Sequence, residues 1–160
     1  MRQVECLTQV RGKYTKNTIL QGRGAFPGVA QGTAIVCPKG ISGNSGGIGD
    51  KDGVIYEPGN PHAGICIKDC ILVLPGGKGS NGFSAHFKSA KLSGFAPAAW
   101  VVLHMDSRIG GAVTSTETPC VCDFTNINPL TIIKTGDYIR VDGGNGTVEI
   151  LKRNNANTDI

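Results

Sequence analysis

LVLPGGKGSNGFSAHF, residues 72 to 87, is the stretch on which the reading of this chain turns. The apolar run Ile71–Leu74 stops at Pro75 and gives way to a glycine-rich loop carrying Lys78 and Ser80. A helical pattern follows, with Phe83, Phe87 and Ala90 at i, i+4 and i+7 and Gly94 placed to end it. Strand, glycine loop and helix together make an anion cradle, because unpaired backbone N–H groups at the loop and the helix start point toward the ligand.

Working outward, KNTILQGRGAFPGVAQGTAIV holds two short β runs around Ile19–Leu20 and Ala34–Val36, separated by Gly24, Pro27 and Gly28. A long glycine-rich connection follows, KGISGNSGGIGDKDGVIYEPGNPHAG, with a turn expected at Asp52–Gly53. A loop of that length in a compact domain is usually functional or disordered. Downstream, Ala98–Leu103 reads as a core strand and DSRIGGAVTST as a helix weakened by two glycines. Pro119–Cys122 reads as a short strand. GDYIRVDGGNGTVEIL alternates on both arms around GGNG and reads as a hairpin. Residues 1–16 stand as an N-terminal extension, and residues 153–160 as a polar, frayed tail on a single domain spanning 1–160. The expected class is α/β. Parallel strands with helices on one side pack against an antiparallel β layer, and active groups gather at the strand C-termini, where the Leu72–Phe87 loop lies.

Composition narrows the function classes. The chain has 160 residues, enough for one domain with its own core, and 24 of them are glycine, which marks many tight turns. The formal charge of +4 is spread without a basic run or interleaved aromatics, which argues against nucleic acid. No apolar span reaches transmembrane length and no secretory signal is visible, so the six cysteines are expected as thiols in a reducing cytoplasm. Cys66 and Cys70 are four apart, Cys120 and Cys122 bracket Val121, and no CxxC occurs, so no metal site is expected from this chain.

Nucleotide and hydrolase readings of the loop fail on detail. A phosphate-binding loop needs Ser or Thr after Gly-Lys, and here Gly79 follows Lys78. Gly77, Gly79 and Gly82 match G-x-G-x-x-G, yet no acidic residue follows at dinucleotide spacing, since Gly94–Trp100 is uncharged. Ser80 sits in G-S-N-G rather than the G-x-S-x-G elbow, and His62, His86 and His104 show no local pairing with it. What remains is an exposed serine beside a lysine, in a nest of N–H groups at a helix start. Such a nest binds a carboxylate or stabilises an ionised serine acting as a base.

Read together, GRGAFPGVAQGTAIV, GGIGDKDGVIYEPGNPHAG, LPGGKGSNG, GFAPAAWV and TGDYIRVDGGNGTVEI resemble the aconitase X family, in particular its small subunit or swivel domain. The resemblance runs from Ile19 to Leu151. It implies a swivelling β/β/α fold that closes over a separate large subunit carrying an iron–sulfur cluster. The activity implied is a hydro-lyase that dehydrates a hydroxylated carboxylate, 5-phosphomevalonate or cis-3-hydroxy-L-proline. It assigns the catalytic base to Ser80, with Lys78 standing where arginine is common and Asn81 where a second serine is common. Lys78 keeps the charge but not the bidentate grip of arginine. Lys78, Gly79 and Asn81 are then substrate contacts, with Arg23 and Gly24 of the Gly22-Arg23-Gly24 turn and Ser45, Gly46 and Gly47 as further candidates. The partners implied are the large subunit and a small hydroxy-acid, without nucleic acid or membrane.

PGVAQGTA and TGDYIRVDGGNGTVEI also resemble phosphohistidine swivelling domains. In those, a histidine just after Thr-Ser at a helix start carries a phosphoryl group. The nearest match is Ser84-Ala85-His86, out of order and deeper in the helix, so the carrier role is the weaker alternative. A cysteine-rich binding module without chemistry is the third.

Overall fold

The computed structural model describes the backbone of residues 3–10 and 13–154 and the side chains of residues 17–154. Its strands are β1 (Gln3–Val10), β2 (Lys13–Gln21), β3 (Arg23–Phe26), β4 (Val29–Val36), β5 (Ile71–Leu74), β6 (Ala99–Val102), β7 (Cys120–Cys122), β8 (Tyr138–Asp142) and β9 (Thr147–Lys152). The helices are α1 (Phe83–Leu92), α2 (Ser107–Thr116) and the short α3 (Pro129–Ile132). Among the described residues no helix is long and apolar enough to cross a membrane.

The strands form one mixed sheet in the order β1-β2-β9-β8-β4-β5-β6-β7-β3. Strands β4, β5, β6 and β7 run parallel; α1 and α2 lie in the crossovers from β5 to β6 and from β6 to β7, while the long glycine-rich connection leads from β4 to β5. Strands β1, β2, β9 and β8 are antiparallel and attach through β4. The expected antiparallel layer is therefore the continuation of the parallel sheet, folded over it. The GGNG hairpin turn closes the fold, with Gly22 N–H donating to the Gly146 carbonyl at 2.8 Å and Gly143 N–H to the Gly28 carbonyl at 2.8 Å.

Strand alternation divides the core into two faces. Leu72 and Leu74, Trp100 and Val102, and Cys120 and Cys122 point toward α1 and α2, where they meet Phe83, Phe87, Ile109 and Val113. Their neighbours Ile71 and Val73, Ala99 and Val101, and Val121 point the other way, onto Leu20, Ile139, Val141, Val148 and Ile150 of the antiparallel half. Two buried faces explain why the central strands read as unbroken apolar runs while the β8–β9 hairpin alternates. Phe83 and Phe87 stack at 4.8 Å between ring centroids, and Phe87 meets Trp100 at 4.9 Å, edge to face.

Helix α1 buries Phe83, Phe87 and Ala90, the residues its periodicity predicts, and ends before Gly94. Helix α2 forms despite Gly110 and Gly111 because Asp106 caps it and Ile109, Ala112 and Val113 are buried. The sequence reading differs from the structure in three places. Residues 1–16 are more than an extension, since β1 and the first part of β2 lie there and pair with each other. Helix α3 packs on the face opposite α1 and α2, with Leu130, Ile132 and Ile133 against the second core. The tail is held at its start: Arg153 donates to the Ile132 carbonyl at 2.7 Å, and the Asn154 N–H donates to Asp137 at 2.8 Å. Residues 155–160 lie outside the described residues.

The buried Trp100 indole N–H donates to Thr118 Oγ1 at 2.9 Å, and Thr118 in turn shares a hydrogen bond with Thr116. Replacing Thr118 by Val keeps the shape but strands the indole N–H. Thr118→Val should lower unfolding free energy by about 1–3 kcal/mol, read from urea denaturation at unchanged m-value.

Candidate functional site

Because β5, β6 and β7 are parallel, the segments after them emerge along one edge of the sheet. Three carboxylates organise that edge. Asp106, after β6, accepts the Ile109 N–H on Oδ1 at 3.0 Å, capping α2, and the Gly77 N–H on Oδ2 at 2.7 Å. One side chain thus anchors the Ser80 loop to the start of the next helix. Asp123, after β7, accepts the Met105 N–H at 2.8 Å and is gripped by Arg23 from Nε at 2.8 Å and Nη2 at 2.6 Å. Donation from Met105 foremost, opposed by partial burial and reinforced by Arg23, holds the Asp123 carboxyl below the usual range. Asp123 sits in the left-handed region at φ 58°, a conformation Asp tolerates better than most residues.

The third carboxylate, Glu57, comes from the long glycine-rich connection. It is buried and receives Lys78 Nζ at 2.6 Å and Ser42 Oγ at 3.0 Å. Burial alone pushes Glu57 up, but the bonds from Lys78 and Ser42 outweigh it, and its carboxyl lies below the ordinary value. The Lys78 carbonyl also accepts the Gly43 N–H at 3.2 Å, so residues 42–44 and the loop are stitched together. Gly79 adopts φ +91° with Ser42 and Asn44 directly above it, a conformation that a side chain would strain.

Ser80 is exposed at the end of this loop. Its Oγ accepts the Gly82 N–H at 3.3 Å, and its carbonyl accepts the Phe83 N–H at 3.2 Å. Gly82 is the N-cap of α1 and offers no side chain of its own, so the hydroxyl stands at the positive end of a ten-residue helix. An open groove lies in front of it, lined by Asn44, Ser45, Asp50, Ser80, His86 and Ser89. His86 Nε2 is 2.5 Å from the Ile48 carbonyl oxygen. A carbonyl only accepts, so this nitrogen carries its proton.

The family model for the aconitase X swivel domain matches residues 19–150. The chain belongs to the aconitase X swivel-domain family. It is 34% identical over 126 residues to the phosphomevalonate dehydratase small subunit of Methanococcoides burtonii, covering 79% of this chain and 90% of that protein. It is 33% identical over 132 residues to the protein of the same name in Pyrococcus furiosus, covering 82% and 95%. The crystal structure of Thermococcus kodakaraensis aconitase X in its holo-form superposes with a TM-score of 0.77 at 31% identity, over 84% of this chain and 98% of that one.

Within this swivel domain the sequence-derived site residues separate into groups. Ser80 and Ser45 line the groove together, Gly79 and Asn81 adjoin Ser80 in the loop, and Lys78 turns toward a separate cavity beside Cys37, Glu57 and Asn60, with Gly46 at the exposed tip of the 44–47 turn, where its N–H bonds Asn44. Gly47 is buried, and a Cβ there would lie 2.0 Å from the Ser42 carbonyl oxygen. Its role is packing. Arg23 and Gly24 are on β3, across β6 and β7 from β5, about 14 Å away at ordinary strand spacing. Arg23 is engaged by Asp123, and a Cβ on Gly24 would lie 2.0 Å from the Gly143 carbonyl oxygen. That glycine lets the hairpin turn close on β3. Asp106, Asp123 and Glu57 escaped the sequence reading. Asp106 alone had a signal, as an N-cap residue directly before a helical run.

Among the described residues the cysteines are spread over the fold. Cys120 and Cys122 are buried beneath the helices, and burial foremost pushes the Cys122 thiol up to about 11 and Cys120 higher. Burial likewise raises Cys37. No group of three or more His, Cys, Asp or Glu able to hold a metal occurs among the described residues.

The Glu57 clamp has a defined pH signature. Its folded pKa lies below the unfolded value, so its stabilisation is complete above the ordinary carboxylate pKa and is lost as pH falls through the folded one. Glu57→Gln should therefore lose stability at pH 7 relative to wild type and show a smaller further loss between about pH 5 and pH 3, measured by thermal melts across that range.

Proposed function

We propose that this chain is the small subunit of a two-subunit phosphomevalonate dehydratase and that Ser80 is its catalytic base. The observation that carries the reading is the exposed Ser80 hydroxyl bonded to the Gly82 N–H at the start of α1. Dehydrating a hydroxy-carboxylate requires removal of a proton from carbon beside the carboxylate, and enolate-like charge builds there. A base at that position has to be ionised before it acts. The Gly82 N–H and the positive end of α1 stabilise a Ser80 oxyanion, and the nearby amide dipoles oppose the cost of the developing charge. Proton transfer by a positioned group of this kind contributes on the order of 10² to 10⁴ in rate.

The substrate choice, 5-phosphomevalonate over cis-3-hydroxy-L-proline, is supported by the names of the archaeal relatives. An iron–sulfur cluster belongs in this reading to the large subunit, where it supplies Lewis-acid polarisation of the departing hydroxyl. The contribution of this chain is the base, its electrostatic setting and, as a swivelling domain, exclusion of water once the two subunits close. The groove in front of Ser80 is open in the isolated chain, as expected for a half-site that a second polypeptide covers.

Two outcomes test the reading. The purified chain alone should turn over no 5-phosphomevalonate, and adding the cluster-loaded large subunit should produce turnover. In that complex Ser80→Ala should cut kcat by about 10²-fold or more with KM changed only modestly, because the lost group acts mainly in the transition state. Full activity of the variant would assign the base elsewhere.

A further inference from the structure

We propose that Arg108 is a specificity-determining residue of the same site, recognising the phosphate monoester of the substrate from the α2 side of the Ser80 loop. The described residues include four arginines, Arg23, Arg108, Arg140 and Arg153. Three are matched to carboxylates: Arg23 to Asp123, Arg140 to Glu149 and Arg153 to Asp137. Arg108 makes no ion pair among the described residues, and its Nε is buried without a hydrogen-bond partner. Among the described residues it is the one buried side-chain nitrogen or oxygen in that state. A guanidinium keeps its charge at any working pH, so deprotonation cannot relieve the mismatch. Nε itself is out of reach, whereas the two terminal nitrogens are not in that buried state and have no partner among the described residues, so the open end of the fork is left for a partner from outside the chain.

Its placement says which partner. Arg108 is the second residue of α2, in the turn that Asp106 caps. Its stem lies against the loop, because a Cβ built on Gly77 would be 2.6 Å from Arg108 Cβ and 3.1 Å from its Cδ. Glycine at position 77 is what permits this approach. Asp106, the nearest carboxylate in sequence, has both oxygens committed to the N–H groups of Gly77 and Ile109. The loop that ends in Ser80 is therefore flanked by two cations of different status. Lys78 is held by Glu57 on one side, and Arg108 is unmatched on the other. A guanidinium offers a planar fork that matches phosphate oxygens in a bidentate manner, which the lysine does not. Arg108 is the group able to take a doubly charged phosphate while Ser80 works at the other end of the molecule. The assignment of the phosphate to a substrate rests on the dehydratase reading above; the anion site itself does not.

Two measurements test this, and they fail separately. In the assembled enzyme, Arg108→Met should raise KM for 5-phosphomevalonate by roughly 10- to 100-fold with kcat within about 3-fold, and Arg108→Lys should recover part of the loss. In the full chain without its partner, inorganic phosphate should shift the amide resonances of Gly77 and Ile109, and Arg108→Met should abolish those shifts. If the assembled wild-type enzyme ignores 5-phosphomevalonate, the dehydratase reading falls while the titration still decides on Arg108. If Arg108→Met fails to fold, Arg108→Lys keeps stem and charge and should still show an intermediate KM. Unchanged KM in both variants, or phosphate shifts that persist in Arg108→Met, overturns the assignment. So does weaker subunit association with KM unaltered at saturating partner, which would make Arg108 an interface residue.

Discussion

Strand β4 hydrogen-bonds in two senses along its length. Val29–Thr33 run antiparallel to β8, while Ala34–Val36 run parallel to β5. This shared strand joins a parallel half, which needs helical crossovers, to an antiparallel half built from hairpins. With β4 common to both, the antiparallel half folds across the face of the parallel strands that α1 and α2 leave uncovered. Both faces of β5, β6 and β7 are thereby buried, so chemistry on these strands is confined to their ends, and the C-terminal end is the one that carries the Ser80 loop and the start of α2.

At that edge the chain arranges carboxylates so that loops hold one another. Asp106 takes an N–H from the loop after β5 and one from α2, while Asp123 takes an N–H from the segment after β6 and the guanidinium of β3. Glu57 ties the long connection to Lys78. Apart from the local cap on Ile109, each of these bonds joins segments well separated in sequence, and each has an ionised carboxylate as its acceptor, the stronger class of hydrogen bond. They pre-organise Ser80 without using its hydroxyl. That division of labour fits the proposed half-site, in which the geometry is completed within the chain and a second polypeptide is proposed to complete the chemistry.

Much of this layout was legible in the residues. The i, i+4, i+7 spacing of Phe83, Phe87 and Ala90 defined α1, and the alternation around GGNG defined the β8–β9 hairpin, since both periods reflect backbone geometry alone. The loop at Gly77–Gly82 was recognisable because its composition is unusual between a buried strand and a helix. Less could be read where a residue's role depends on a distant partner. Lys78 looked like a free cation for substrate, yet it is bound by a glutamate twenty-one positions earlier. Arg23 and Gly24 looked like a substrate turn, whereas one grips Asp123 and the other makes room for Gly143. Strands in residues 1–16 escaped notice because the pattern there is mixed, even though β1 and β2 pair as neighbours in sequence.

By itself, the order of residues determined the local elements, the two-faced apolar runs of the central strands and the placing of one serine at the head of a helix. These follow from side-chain periodicity, turn chemistry and capping, which act over a few residues. Tertiary structure alone decided which charges are satisfied and which are left open. Pairing depends on distances between segments that no local pattern encodes. The matched Lys78 and the unmatched Arg108 are distinguished only when the long connection, the loop and α2 are brought to the same edge of the sheet.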